Sequence, residues 1–337
     1  MKAVRLYDAM DLRVEQAERP GTPPAGFVNL DVRAAGICGS DLHNYRTGQW
    51  ISRRPSTAGH EFCGRVTAVG EGVSDLSAGD LVVADSRFWC GECPACRSGR
   101  SNVCERLGFV GEVCDGGFAE AVQLPARLLV SHEASVPARV AAMAEPLAVA
   151  LHAVRRLAPG AGEPVLVVGC GTIGGLTALL LSDLHDGPVL LSDRNAARAE
   201  TVAQLTGGRI VALDAGAVST ALGDARLRHA VDATGSTAAI AAALDLLHGG
   251  GALALVGISH GRLDFDPNVL VEREIALVGC HAFAGELPDA VALLPRLAER
   301  LARLIEILPS LDAVPDAYER LLKGKTAALK TIVAIAD

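Results

Sequence analysis

Residues 164–174 read Pro164-Val165-Leu166-Val167-Val168-Gly169-Cys170-Gly171-Thr172-Ile173-Gly174. A fully apolar run bounded by turn residues is the pattern of a strand buried on both faces of a parallel sheet. Gly169, Gly171 and Gly174 follow it at GxGxxG spacing and open an apolar helical run, 173–181. In such a setting the first glycine makes a tight turn, the second lets a pyrophosphate approach the backbone, and the third lets helix pack on strand. The helix start, with Thr172 and Ile173 in its first turn, then offers free N–H groups and the positive end of its dipole to phosphate. The next apolar strand, 189–192, ends at Asp193, nineteen residues past Gly174. A carboxylate there accepts from both ribose hydroxyls and repels a 2′-phosphate, which favours NAD over NADP. Arg194 and Arg198 stand at the same edge, and an arginine there can hold a 2′-phosphate.

Outward from this stretch, helix-like and strand-like segments alternate. Apolar strands fall at 189–191, 210–213, 230–233, 253–256 and 276–279. Strand–helix repetition of this kind implies an α/β fold with a doubly wound parallel sheet. Residues 140–157 and 287–304 read as helices. The first 135 residues differ: 28–33 alternates apolar and polar, 62–69 and 81–84 look similar, and glycine turns separate them, giving an irregular all-β half. A last strand, 331–335, has no partner nearby in sequence and is expected to return to the first half.

The length of 337 residues corresponds to about two domains. Half the residues are apolar and 21% are charged, which excludes a disordered chain. The net charge of −8 speaks against a dedicated nucleic-acid binder. No apolar run approaches the ~20 residues of a membrane helix, so no membrane partner is expected. Met1-Lys2-Ala3-Val4-Arg5 is followed by no apolar signal core, so the expected location is the reducing cytoplasm. There, clustered cysteines read as metal ligands before disulfides.

Nine cysteines are present, and Cys90, Cys93, Cys96 and Cys104 fall within fifteen residues. Four thiolates at this spacing suit a closed, structural zinc site. An iron–sulfur cluster is the rival, but Cys104 follows Cys96 by eight positions with no proline after it, unlike the ferredoxin pattern. A nucleic-acid-binding ribbon would need more charge and an aromatic row than this segment has. A second set of donors is scattered: Cys38 in Gly36-Ile37-Cys38-Gly39-Ser40-Asp41-Leu42-His43, His60 and Glu61 in Gly59-His60-Glu61, and Glu145 in Ala144-Glu145-Pro146. Cys, His and carboxylate together would suit a catalytic zinc with one exchangeable position. Spacing alone does not bring these residues together, and singly each has a plainer reading as a core thiol or a helix-start carboxylate.

Taken in order, the Gly36–His43 stretch, Gly59-His60-Glu61, the four-cysteine segment and the 169–174 loop resemble the zinc-containing medium-chain dehydrogenase/reductase superfamily over essentially the whole chain. Met143-Ala144-Glu145-Pro146-Leu147-Ala148-Val149-Ala150 is similar to its polyol branch, the sorbitol, xylitol and L-idonate 5-dehydrogenases. The resemblance implies a GroES-like β domain with a structural zinc lobe (residues 1–140), a Rossmann domain (141–284) and a return to the catalytic domain (285–337). It implies two Zn²⁺ per chain, one on the four clustered cysteines and one on Cys38, His60 and Glu145. Glu61 would be an alternate ligand or a neighbour, Ser40 a hydroxyl proton relay, and His43 the group passing the proton to solvent. Lys330 would touch the pyrophosphate, and Tyr45, Trp50 and Phe109 are candidate walls of the substrate pocket. Cys63, Cys114, Cys170 and Cys280 are left without assigned chemistry. The implied activity is hydride transfer between NAD and a polyol or sugar acid in a homo-oligomer, dimer or tetramer. A zinc-dependent alcohol dehydrogenase of another small alcohol is one alternative, a zinc-free reductase lacks these ligand sets, and a non-catalytic nucleotide-binding protein on the same fold is the alternative of a different class.

Overall fold

The computed structural model describes residues 1–259, 261–326 and 328–336. The chain divides into two units: 1–145 with 287–337, and 146–286.

In the first unit one sheet runs in the order Leu129–Ser131, Leu81–Ala84, Glu61–Val69, Phe27–Ile37, Lys330–Ala334, Ile305–Leu308, with Ala121–Pro125 also on Phe27–Ile37. The long strand Phe27–Ile37 is buried at every second residue over its first half, so one face builds the core. The terminal strand Lys330–Ala334 lies antiparallel to it, Thr331 opposite Ile37 and Ala334 opposite Ala34. A smaller sheet joins Asp11–Gln16, Lys2–Asp8 and Ser56–Thr57, and a short ribbon pairs Arg87–Phe88 with Gly108–Phe109. The reading of this half as all-β misses the helix Gly39–Thr47, whose sequence is too polar to show an apolar face. It is set by its cap: Asp41 Oδ2 accepts from the Cys38 N–H at 2.8 Å, and the Cys38 side chain accepts in return.

The second unit is a parallel sheet ordered Arg209–Ile210, Val189–Ser192, Val165–Val168, His229–Asp232, Ala252–Leu255, Ala276–Gly279. By sequence this is 3-2-1-4-5-6, the order of a dinucleotide-binding sheet with its switch point beside the first strand. Val165–Val168 is buried throughout. The expected strand 210–213 is only the edge pair Arg209–Ile210, because Asp214 caps the next helix by accepting from the Ala217 N–H. The expected helix 140–157 is two, Ala138–Ala141 and Ala144–Leu157. Pro146 has no N–H for the carbonyl of Ala142 and so is tolerated only in the first turn of a new helix. Among the described residues no helix is long and apolar enough to cross a membrane.

The terminal strand is thus an interior member of the first unit's sheet, and Ile332 is fully buried in it. Ile332→Ala is expected to cost about 2–5 kcal/mol. The readout is a lower urea midpoint for the first unit, while the second unit, which lacks this contact, keeps its own transition.

Candidate active site

Three elements of the first unit converge where the sheet's central strands end. Phe27–Ile37 delivers Cys38 at the cap of the helix Gly39–Thr47, Glu61–Val69 begins with Glu61 next to His60, and the return strand begins with Lys330. Donor atoms of Cys38, His60 and Glu61 lie within 4.8 Å of one another. A tetrahedral zinc with bonds of about 2.0–2.3 Å needs donors about 3.3–3.8 Å apart, so this set can close on one ion with little movement. His60 is oriented from both sides. Its Nδ1 is 3.5 Å from Asp41 Oδ1, and its Nε2 is 3.5 Å from Ser40 Oγ. A carboxylate behind a metal-binding imidazole fixes ring and tautomer. Buried beside Asp41, the ring is held well above the ordinary imidazole pKa, against the opposing effect of desolvation.

Glu145 stands outside that three-residue cluster. It is buried, and its Oε1 accepts from Ser86 Oγ at 2.6 Å. Burial pushes its carboxyl up to about 7, with His60, Ser86 and Lys330 opposing and Glu61 reinforcing. Lys330, expected at the pyrophosphate, has its ammonium on the Glu61 carboxylate, with both groups almost wholly buried. An ammonium taken out of water needs such a counter-charge. Gly36 makes room for the pair: a Cβ there would stand 2.9 Å from the Lys330 side chain and against the Glu61 carboxylate.

Ser40 and His43 sit three residues apart on one helix face, and His43 Nε2 meets Gln49 Oε1 at 2.8 Å. The adjoining hollow, about 10 Å³, is lined by Ser40, Asn44, His60, Val110, Glu112 and Tyr318, among others. Of the expected pocket walls, Tyr45 is a core residue whose hydroxyl donates to Glu319 at 3.0 Å, and whose ring meets Tyr318 edge-on at 5.5 Å. Trp50 packs on the His43 ring at 4.5 Å. Phe109 is half-buried in the small ribbon, paired with Arg87, and its neighbours Val110 and Glu112 do the lining. Asp41, Ser86, Glu112 and Tyr318 were missed by sequence reasoning. Only Asp41 carried a local signal, as the third residue after the helix cap.

The four-cysteine segment closes on itself. Cys90, Cys93, Cys96 and Cys104 offer sulfurs all within 4.8 Å, at 3.9 Å for Cys90–Cys96, 3.8 Å for Cys93–Cys104 and 3.4 Å for Cys90–Cys104. Zn–S bonds of about 2.3 Å give tetrahedral S···S edges of about 3.8 Å. Main-chain N–H groups of Cys93 and Arg106 donate to Cys90 and Cys104 sulfurs. The Cys93 N–H draws the Cys90 thiol down to about 6. Arg87, buried, holds the lobe's base through two bonds to Asp85 and one to Ser101.

In the second unit, Gly169 has φ +94°, a conformation that favours glycine, and a Cβ on Gly174 would collide with the Gly169 carbonyl oxygen. A Cβ on Gly171 would meet nothing within 4 Å, so the backbone is open there to a close ligand. Gly171 caps the helix Thr172–Leu184, which starts at Thr172 and Ile173. Asp193 Oδ2 accepts from the Cys170 N–H at 2.6 Å and Oδ1 from the Asn195 N–H at 2.7 Å, which puts its carboxylate against the glycine loop. Arg194 is exposed; Arg198 starts the following helix on the Asn195 cap, and its Nε is buried without a hydrogen-bond partner.

Two family models match the chain, alcohol dehydrogenase GroES-like domain over residues 24–134 and zinc-binding dehydrogenase over 173–296. The chain is 34% identical to L-galactonate-5-dehydrogenase of Escherichia coli K12 over 74% of each chain, and 28% identical to sorbitol dehydrogenase of Bacillus subtilis over 99% of this chain and 97% of that one. A crystal structure from E. coli CFT073, described as a short chain alcohol dehydrogenase (rspB) with NADH, superposes with a TM-score of 0.91 at 27% identity over 99% of both chains. The protein belongs to the zinc-containing medium-chain dehydrogenases, enzymes that use zinc and a nicotinamide cofactor to act on alcohols. Within that family it falls in the polyol dehydrogenase branch.

Gly174→Ala sets a Cβ against a main-chain carbonyl that cannot move without opening the loop. NADH affinity is expected to fall roughly tenfold or more, with a loss of about 1–3 kcal/mol in stability. Fluorescence titration of NADH and a thermal melt measure the two, and wild-type values in both would refute the assigned geometry.

Proposed function

We propose that the protein is an NAD-dependent dehydrogenase of a polyol or sugar acid, with two zinc ions per chain. The observation that carries the reading is the convergence of Cys38, His60 and Glu61 donors beside the Ser40 hydroxyl. Cys38 and His60 would hold the catalytic ion, with a carboxylate from Glu145 or Glu61 as third ligand. Cys90, Cys93, Cys96 and Cys104 would hold the structural one. Zinc held on the first set supplies Lewis-acid polarisation of a substrate hydroxyl near neutral pH.

The remaining work falls to side chains. Asp41 keeps His60 in one orientation. Ser40 can accept and donate at once, so it takes the proton leaving the substrate hydroxyl. His43, one turn along the same helix face, carries the proton outward. Glu61 and Glu145 are held apart by different partners, Lys330 and Ser86, so either can serve as ligand while the other keeps its hydrogen bond or ion pair. The L-galactonate and sorbitol enzymes among the relatives support a substrate with several hydroxyls. The position of Asp193 against the glycine loop supports NAD.

Cys38→Ser or His60→Ala is expected to lower kcat by at least about a thousandfold while NADH binding stays near wild type. Cys93→Ser should instead lower bound zinc by about one ion per chain and lower the melting temperature. Full turnover in a metal-stripped enzyme would sink the proposal.

A panel of polyols and sugar acids, followed as NADH or NADPH formation with each cofactor, tests the substrate class. Turnover with a polyol or aldonate and NAD is expected, and Asp193→Ala should reduce the NAD preference about tenfold or more. A wild-type preference for NADP would overturn the role given to Asp193.

A further inference from the structure

We propose that the first unit carries a binding site for a small oxyanion, apart from the metal cluster, in a cavity of about 170 Å³ built around Arg33 and His132. The two hollows share no lining residue.

The placement of Arg33 comes from a defect in the ladder. Val32 pairs with Gly64 and Ala34 with Cys63, so Arg33 is an extra residue, a β-bulge in the strand Phe27–Ile37. A bulge re-aims the side chain it carries. This one is fixed from behind, since the Arg33 carbonyl accepts from the N–H groups of Ile335 at 3.0 Å and Ala336 at 3.3 Å. The guanidinium Nε is buried and has no hydrogen-bond partner. A buried cationic donor left unpaired is costly, and an oxyanion would satisfy both its charge and its hydrogen.

The opposite wall is His132, whose own N–H is tied to the Leu81 carbonyl at 2.9 Å. Its Nδ1–H donates to the Glu133 carbonyl at 2.9 Å, which leaves Nε2 for a ligand. Burial, with Arg33 adding to it, holds the ring below its ordinary imidazole pKa, against the Glu133 carbonyl, and an anion bound here is what would favour the protonated form and make Nε2 a second donor. Cys63, Leu81, Val136 and Pro137 close the rest, and no carboxylate is among the lining residues. The Cys63 thiol is pushed up to about 12 by burial, so it adds no competing negative charge. In a chain of net charge −8 a cavity lined by a guanidinium cation, an imidazole and no carboxylate is a selective environment. Its volume compares with the ~150 Å³ that accommodates the six heavy atoms of benzene, so inorganic phosphate or a short carboxylate fits.

The test uses the zinc-loaded enzyme saturated with NADH, so that the nucleotide's phosphate site is filled. Thermal melts are recorded against sodium phosphate, sodium acetate and sodium chloride at matched ionic strength. The expected result is a saturable rise in melting temperature with phosphate or acetate. Phosphate alone would identify a phosphate site, and both together a general oxyanion site. Arg33→Gln is expected to weaken the effect roughly tenfold or more at unchanged NADH affinity. Should that variant not fold, His132→Gln, at the half-exposed wall, reports the same loss. An equal response to chloride, or the wild-type titration in a folded variant of either residue, would overturn the site.

Discussion

Cys38, Asp41, Glu61 and Glu145 gather four acidic groups in one buried region, and the first unit is arranged to answer that charge. One positive group inside is Lys330, fully buried and held above its ordinary pKa by Glu61 and Cys38 against the pull of burial. A carboxylate that deep needs a partner, and that partner comes from the far end of the chain. The antiparallel register of the terminal strand, Thr331 opposite Ile37, puts Lys330 next to Cys38. The return of the chain to its first domain therefore does more than fill a sheet: it delivers the cation that lets Glu61 stand buried beside Cys38 and His60.

The same constraint separates the carboxylates. Glu61 is ion-paired with Lys330, whereas burial pushes the carboxyl of Glu145, which faces a serine hydroxyl, up to about 7. Glu112, in the hollow beside them, is likewise raised to about 7 by burial. Charge in this region is thus rationed by neighbours, and a divalent ion on Cys38 and His60 would add positive charge beside that of Lys330.

What could be read from the sequence was what lies close in it. The glycine loop, the strand before it and Asp193 form one βαβ unit, and the four cysteines span fifteen residues, so spacing fixes their geometry. Cys38, His60 and Glu145 are set by tertiary folding, and only the resemblance grouped them. The ion pair of Lys330 with Glu61 is not legible in the sequence, because a lone lysine is ordinarily solvated and nothing local shows that a carboxylate almost 270 positions earlier needs it. Helical geometry turns Tyr45 the other way from Ser40 and His43, into the core, which nearness to the motifs in sequence does not reveal. The helix break at Pro146 was visible in the residue itself, and the apolar run masked it.

The nine cysteines show the same physics at the level of single atoms. In the four-sulfur lobe, main-chain N–H groups point at sulfur and draw Cys90 and Cys93 toward thiolate, while burial pushes Cys96 up to about 12. Cys63, Cys114, Cys170 and Cys280 have burial without enough donors, and each is pushed up and kept as a neutral thiol. Thiolate is the form that binds metal. Cys170 makes the contrast sharpest: it lies inside the nucleotide loop, yet its neighbour is the Asp193 carboxylate, which opposes ionisation. A cysteine there is a small apolar packing residue, and the loop's polar work is left to its N–H groups.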